Sequence, residues 1–152
     1  MPVLMAALRR PVAALALCGT LTLAMLVATP ASAGTRSEQT MVRLVNRDRL
    51  SRKIFALRAS AAVTRIARRH SRQMADRGSL YHSCIDCILH QHRWATIGEN
   101  VGRASTVRQA NQLFMHSAPH RQNILSSAFR RIGVGIVRAR GVLWVTELFY
   151  RS

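Results

Sequence analysis

His82, Glu99 and His120 lie within 38 positions of one another in a loop-rich middle section of the chain. Neutral imidazoles and a carboxylate suit zinc or a similar borderline divalent metal. The same groups can relay a proton, because histidine titrates near neutrality and a carboxylate beside it can orient the ring. Glu99 follows Gly98, where the missing side chain lets backbone and carboxylate approach a neighbour. Ser117 lies three residues before His120, but nothing beyond that closeness supports a serine nucleophile. A second arrangement draws on part of the same set. His82-Ser-Cys84-Ile-Asp-Cys87-Ile-Leu-His90 holds two cysteines and two histidines in nine positions, with His92 just beyond. Those spacings are cramped for a structural zinc, and in an oxidising compartment a local Cys84–Cys87 disulfide is favoured over a zinc thiolate. His90 and His92 then read as exposed loop residues. No HExxH, nucleophile elbow, phosphate loop or dinucleotide-binding glycine turn occurs.

The elements that must position these groups follow from periodicity. Gly34 to Gln39 is a polar start without pattern. Met41, Leu44 and Val45 share a helical stripe in a first helix beginning at Thr40 and ending near Arg52. Ser60 is placed to cap a second helix through Arg77, with Val63, Ile66, Ala67, His70 and Met74 on one face and Gly78 as its stop. Arg65, Arg68, Arg69, Arg72 and Asp76 form the opposite face, read as solvated. Tyr81 to Asn100 has no sustained period. Ser105 or Thr106 can cap a third helix carrying Val107, Ala110, Leu113 and Phe114; Pro119 interrupts it, and Arg121 to Leu125 makes another turn. The end of the chain changes period: residues 132–137 and 142–149 predict an antiparallel hairpin whose inner face holds Ile132, Val134 and Ile136. Helices first and paired strands last point to an α+β fold with helices packed on an antiparallel sheet.

Residues 1–33 read as a cleavable signal peptide: Arg9 and Arg10, an apolar run over 12–27, then Ala31-Ser32-Ala33. An uncleaved anchor is the competing reading, disfavoured by Pro30 and the small-residue cleavage pattern; Cys18 lacks the context of a lipid attachment site. Cleavage leaves 119 residues, enough for a single core, with 21 basic residues against 6 acids, a formal +15. Nearly all of that charge is arginine, Lys53 being the only lysine. A basic exported protein is drawn to anionic envelope polymers or lipids rather than to nucleic acid.

Taken together, these residues resemble the CAP superfamily, also called the SCP or PR-1-like domain, in its short secreted bacterial form. The matching pieces run in order: Leu44-Val-Asn-Arg47, Met74-Ala-Asp-Arg-Gly78, His82, Trp94, and Gly98-Glu99-Asn100-Val-Gly102. Phe114-Met-His-Ser117-Ala-Pro-His120-Arg-Gln-Asn-Ile-Leu125 follows, then Ile132-Gly-Val-Gly135 and Trp144-Val-Thr-Glu-Leu-Phe149. The resemblance covers residues 40–150 and so defines a domain over 40–152, behind a short polar segment at 34–39. It implies an α-β-α sandwich with a surface cleft, in which His82 and His120 match a metal-binding pair and Glu99 a cleft glutamate. A second glutamate is replaced by Ser117, Ala118-Pro119-His120 stands for Pro-Gly-His, and Phe114 stands where Trp is common. The expected function is a secreted, monomeric binding domain. Its cleft of His82, Glu99, Ser117 and His120 takes a divalent metal, zinc first, and a small or lipid-like ligand. The alternative is a metal-dependent extracellular peptidase or esterase using His82, Glu99 and His120, with Glu99 as general base or as the partner that orients a histidine. A third reading gives the cleft residues only structural work in an adhesive or toxic domain.

Overall fold

The computed structural model describes residues 35–152. The signal peptide expected at 1–33, its cleavage position and Cys18 lie outside the described residues. Helix α1 spans Arg36–Leu50, earlier than the periodicity indicated. Its start is set by a capping box: the Thr35 hydroxyl accepts the Glu38 N–H at 3.4 Å, while Glu38 accepts the Thr35 N–H at 2.6 Å. From Thr35 on, the polar start read as patternless is therefore structured. Glu38 is almost fully buried, and its carboxyl also takes a bidentate ion pair from Arg68 and the Ile136 N–H. Burial pushes this carboxyl up, but the Arg68 bond and the backbone N–H groups of Thr35 and Ile136 outweigh it and hold it below the usual range.

Strand β1 is the short Arg58–Ala59, and helix α2 is Ala61–Arg77. Ser60 caps α2 through the Val63 N–H at 3.4 Å, and Gly78, at φ +72°, ends it. Val63, Ala67, His70 and Met74 are buried as the helical stripe required. Arg68 corrects the reading of a wholly solvated opposite face, because it crosses to Glu38 on α1. Helix α3, Ile85–His92, and strand β2, Thr96–Ala104, occupy the stretch that showed no period. The reason is physical. Helix α3 is only eight residues long and its apolar residues Ile85, Ile88 and Leu89 are only half-buried, too short a run for a sustained period, and β2 mixes Gly, Glu, Asn and Arg that acquire strand geometry only by pairing. Helices α4, Val107–His116, and α5, Ala118–Leu125, are divided at Ser117, with Pro119 in the first turn of α5.

Strands β3, Arg131–Ala139, and β4, Val142–Arg151, form the expected hairpin; Arg140 and Gly141, both at positive φ, make its tight turn. The sheet order is β1-β3-β4-β2, with β1 parallel to β3 and the other pairs antiparallel. Both faces of this sheet are covered, so β4 is buried from Leu143 to Tyr150. On one face Ile132, Val134, Ile136, Leu143, Val145 and Phe149 pack with Met41 and Val45 of α1, Phe114 of α4 and Ile124 of α5. On the other, Trp144 and Leu148 meet Met74, Val63 and Ala67 of α2. Gly133 and Gly135 make the second contact possible. A Cβ on Gly135 would lie 2.1 Å from the Arg68 nitrogen and 2.2 Å from the Ala67 carbonyl carbon, so α2 rests directly on bare β3 backbone. The result is an α+β fold of three layers, helix on sheet on helix. Among the described residues, the hydrophobic core runs from Met41 to Tyr150.

Candidate functional site

The site is built on β2, the edge strand beside β4, whose alternating side chains serve both faces. Glu99 turns toward the segment linking α2 to α3, and its carboxyl is fully engaged there. His82 Nδ1 donates to Glu99 Oε1 at 2.8 Å, the Ser83 N–H donates to the same oxygen at 2.9 Å, and the Ser83 hydroxyl donates to Oε2 at 2.6 Å. The carboxyl is buried while the His82 side chain remains 58% exposed. Glu99 thus fixes the His82 tautomer and leaves Nε2 as the nitrogen free to bind. Behind it, buried His70 comes within 4.0 Å of Glu99 Oε2, bonds to the Tyr81 carbonyl at 2.8 Å and meets the Tyr81 ring edge-on. Sequence reading missed Ser83 and gave His70 only a place on a helix face; nothing in their spacing marked either as a neighbour of Glu99.

Asn100 turns the other way. Its amide donates to the His120 carbonyl at 3.1 Å and to Glu147 Oε2 at 2.9 Å, and its oxygen accepts from Asn123 at 2.9 Å. Asn123 also donates to the Glu99 carbonyl at 3.1 Å. Neighbouring residues of β2 therefore hold both histidines: Glu99 grips His82 by its ring, and Asn100 grips His120 by its backbone. The His120 ring packs edge-on against Phe114. Burial, and then the nearby His82 imidazole, lower its pKa, which favours the neutral ring a metal or proton acceptor needs. Glu147, wholly buried on β4, has one oxygen bonded to Asn100 and the other without a partner; burial, with Asp48 adding to it, raises its pKa to about 8.

Beside His120, a cavity of about 240 Å³ opens between β2, α4 and the end of α2, with Leu80, Val101, Ala110, Leu113 and Phe114 among its walls. Arg103, Ser117 and His120 supply its polar margin, whereas His82 and Glu99 do not line it. The four expected cleft residues are thus split: Ser117 and His120 face the cavity, and His82 and Glu99 form a bonded pair. Among the described residues, no three His, Cys, Asp or Glu side chains converge as a metal cluster. The donors on offer are two imidazoles, backed by a carboxylate that orients one of them. Cys84 and Cys87 are joined as a disulfide with Cα atoms 5.2 Å apart. His90 and His92 are exposed but helical, on α3, correcting their placement in a loop; His92 stacks on Trp94, which stacks on Tyr150.

Residues 42–148, covering both histidines and the β2 network, match the profile of the Cysteine-rich secretory protein family, CAP. This chain belongs to that family. The CAP domain is 29% identical over 118 residues to the uncharacterized protein YkwD of Bacillus subtilis strain 168, covering 72% of this chain and 46% of that protein. Its fold is similar to that of an extracellular protein containing an SCP domain from Bacillus anthracis, with a TM-score of 0.68 and 24% identity, covering 76% of this chain and 40% of that one. It is also similar to an outer surface protein of Borrelia burgdorferi, with a TM-score of 0.68 and 11% identity, covering 74% and 90% of the two chains. The chain spans less than half the length of the two Bacillus proteins it matches.

Proposed function

We propose that this CAP domain works outside the cytoplasm as a binding module. Its cavity takes the apolar end of a small or lipid-like ligand, and a divalent ion, zinc first, sits at His82 and His120. The observation that carries the reading is the apolar cavity with His120 in its wall. At about 240 Å³ it falls below the roughly 300–1,000 Å³ of pockets that enclose a whole drug-sized ligand. It therefore suits one end of a longer molecule, such as a short acyl segment. The descriptions of the structural relatives as extracellular or outer-surface proteins support the location, as does the leader pattern of residues 1–33.

His82, oriented by Glu99, and His120, whose lowered pKa favours its neutral ring, are the residues that would hold a divalent ion. Such an ion, when bound, would supply positive charge for the polar end of a ligand. Glu99 has both oxygens engaged by His82 and Ser83, so its work here is to orient His82 rather than to take a proton from water. That role is compatible with the peptidase or esterase alternative; binding is favoured instead by the shortage of protein ligands, since a catalytic zinc takes three and no such group converges among the described residues.

The test uses residues 34–152, dialysed against zinc, with metal content measured for the parent, His82→Ala and His120→Ala. Stoichiometric zinc lost in both variants is expected; unchanged zinc in both would remove the metal from the proposal. A fluorescent medium-chain fatty acid probes the cavity. Leu113→Gln, on a side chain already 51% exposed, should weaken it about tenfold, the order expected for losing one apolar wall contact. No probe binding by the parent would overturn the ligand reading, and Glu99-dependent turnover of peptides or esters would replace it with the hydrolase.

A further inference from the structure

At the end of the sheet carrying the start of β3 and the end of β4, a groove of about 340 Å³ is lined by Ala56, Arg58, Arg130, Arg131, Arg151 and Ser152. Three of these arginines belong to strands. Arg58 of β1 lies directly opposite Arg131 of β3 in parallel register, and Arg131 is paired with Tyr150, the neighbour of Arg151 on β4. Their backbones are held in place, because the Arg58 N–H donates to the Arg130 carbonyl at 3.0 Å and the Arg130 N–H to the Tyr150 carbonyl at 3.1 Å. Strand spacing of roughly 4.8 Å thus sets Arg58 and Arg131 side by side on one face, while Arg151, one residue past the partner of Arg131, reaches the groove from the other face at the end of the sheet. All four arginines are exposed, and no acidic side chain lines the groove. Arg130 bonds to the carbonyls of Ser127 and Phe129, but Arg58, Arg131 and Arg151 enter no ion pair or side-chain hydrogen bond among the described residues. Like charges directly opposite across a sheet, as Arg58 and Arg131 are, cost stability, and no ion pair within the described residues offsets that cost.

A second observation lies on the rim. The loop that supplies Ala56 carries Phe55, 81% exposed and the most exposed of the large apolar side chains among the described residues. Its backbone is fixed: Arg49, fully buried, donates Nε to the Phe55 carbonyl at 2.9 Å and Nη1 to the Ile124 and Ser126 carbonyls at 2.6 and 2.8 Å. An exposed aromatic ring next in sequence to a groove lined by unpaired cations is the composition of a membrane-surface contact, where phosphates meet the charges and the ring enters the interface.

We propose that this end of the sheet docks on an anionic phospholipid bilayer, with Arg58, Arg131 and Arg151 taking lipid phosphates and Phe55 inserting beside them. The groove is separate from the His120 cavity, and the inference stands or falls apart from the proposed ligand and metal. Co-sedimentation of residues 34–152 with phosphatidylcholine vesicles, with and without phosphatidylglycerol, tests it. Binding only to the anionic vesicles is expected. The triple substitution Arg58→Gln, Arg131→Gln, Arg151→Gln should weaken it about a hundredfold, at roughly fivefold for each arginine near the surface. The charge-matched control Arg65→Gln, Arg69→Gln, Arg72→Gln, on the exposed face of α2, should cost far less. Phe55→Ser should weaken vesicle binding about tenfold without changing charge. Thermal melts verify that each variant is folded. Equal losses from the two triple variants would mean diffuse attraction and overturn the proposal. So would a Phe55→Ser protein that binds vesicles like the parent while soluble polyphosphate competes fully, since the groove would then serve a soluble polyanion.

Discussion

Glu147 shows what a single buried carboxyl does to this protein. Its raised pKa means that the folded state holds a proton the unfolded chain gives up, between the ordinary value of 4.5 and about 8. Stability from this group is therefore present at the acid end of that window and is lost as pH rises through it, at up to about 1.4 kcal/mol per unit. His120 works in the opposite sense, because its lowered pKa makes stability rise with pH, but only up to its ordinary value of 6.5. Above that pH only Glu147 remains of the two. We expect urea midpoints to fall from pH 6.5 to pH 8 in the parent and to stay level in Glu147→Gln, which keeps an acceptor for Asn100. A parallel fall in both would show that Glu147 does not titrate there. The sequence named Glu99, His82 and His120 because motif spacing survives without coordinates. It was silent on Glu147, Asn100 and Asn123 as one connected network, since a contact such as Asn100 to Glu147 joins strands 47 residues apart.

Among the elements, α2 against β3 is the contact most exposed to a single methyl group. Gly135→Ala would drive its Cβ into the backbone of Ala67 and Arg68, which has no rotamer with which to yield. Overpacking of this kind costs about 1–3 kcal/mol, and backbone rather than side chain as the obstacle puts the expected loss at the upper end. Equilibrium denaturation measures it; a loss under about 0.5 kcal/mol would mean that α2 can slide. Both α2 and the hairpin were legible because each carries its own period: 3.6 for Val63, Ala67, His70 and Met74, and 2 for Ile132, Val134 and Ile136. Strand β2 was not, although it holds the site. Its alternation is Glu99, Val101 and Arg103 against Asn100, Gly102 and Ala104, so polar residues face inward on both sides and the apolar code fails. Helix α1 began early for a similar reason, its first turn being fixed by Thr35, Glu38 and Arg68 through charge rather than apolar contact.

For the molecule as a whole, strand order matters more than any one contact. The two central strands, β3 and β4, are the last in sequence, and β1 and β2 pair only with them. Every earlier segment therefore waits for the final turn of chain. A chain ending at Arg130 should show no cooperative melt, whereas residues 34–152 should melt in one step; a cooperative transition in the shorter chain would mean that the helices alone form a core. The same order bears on passage through any narrow conduit. A polypeptide threaded amino end first has nothing to lock into shape while its tail is still inside, so it stays slack enough to travel and becomes rigid on arrival.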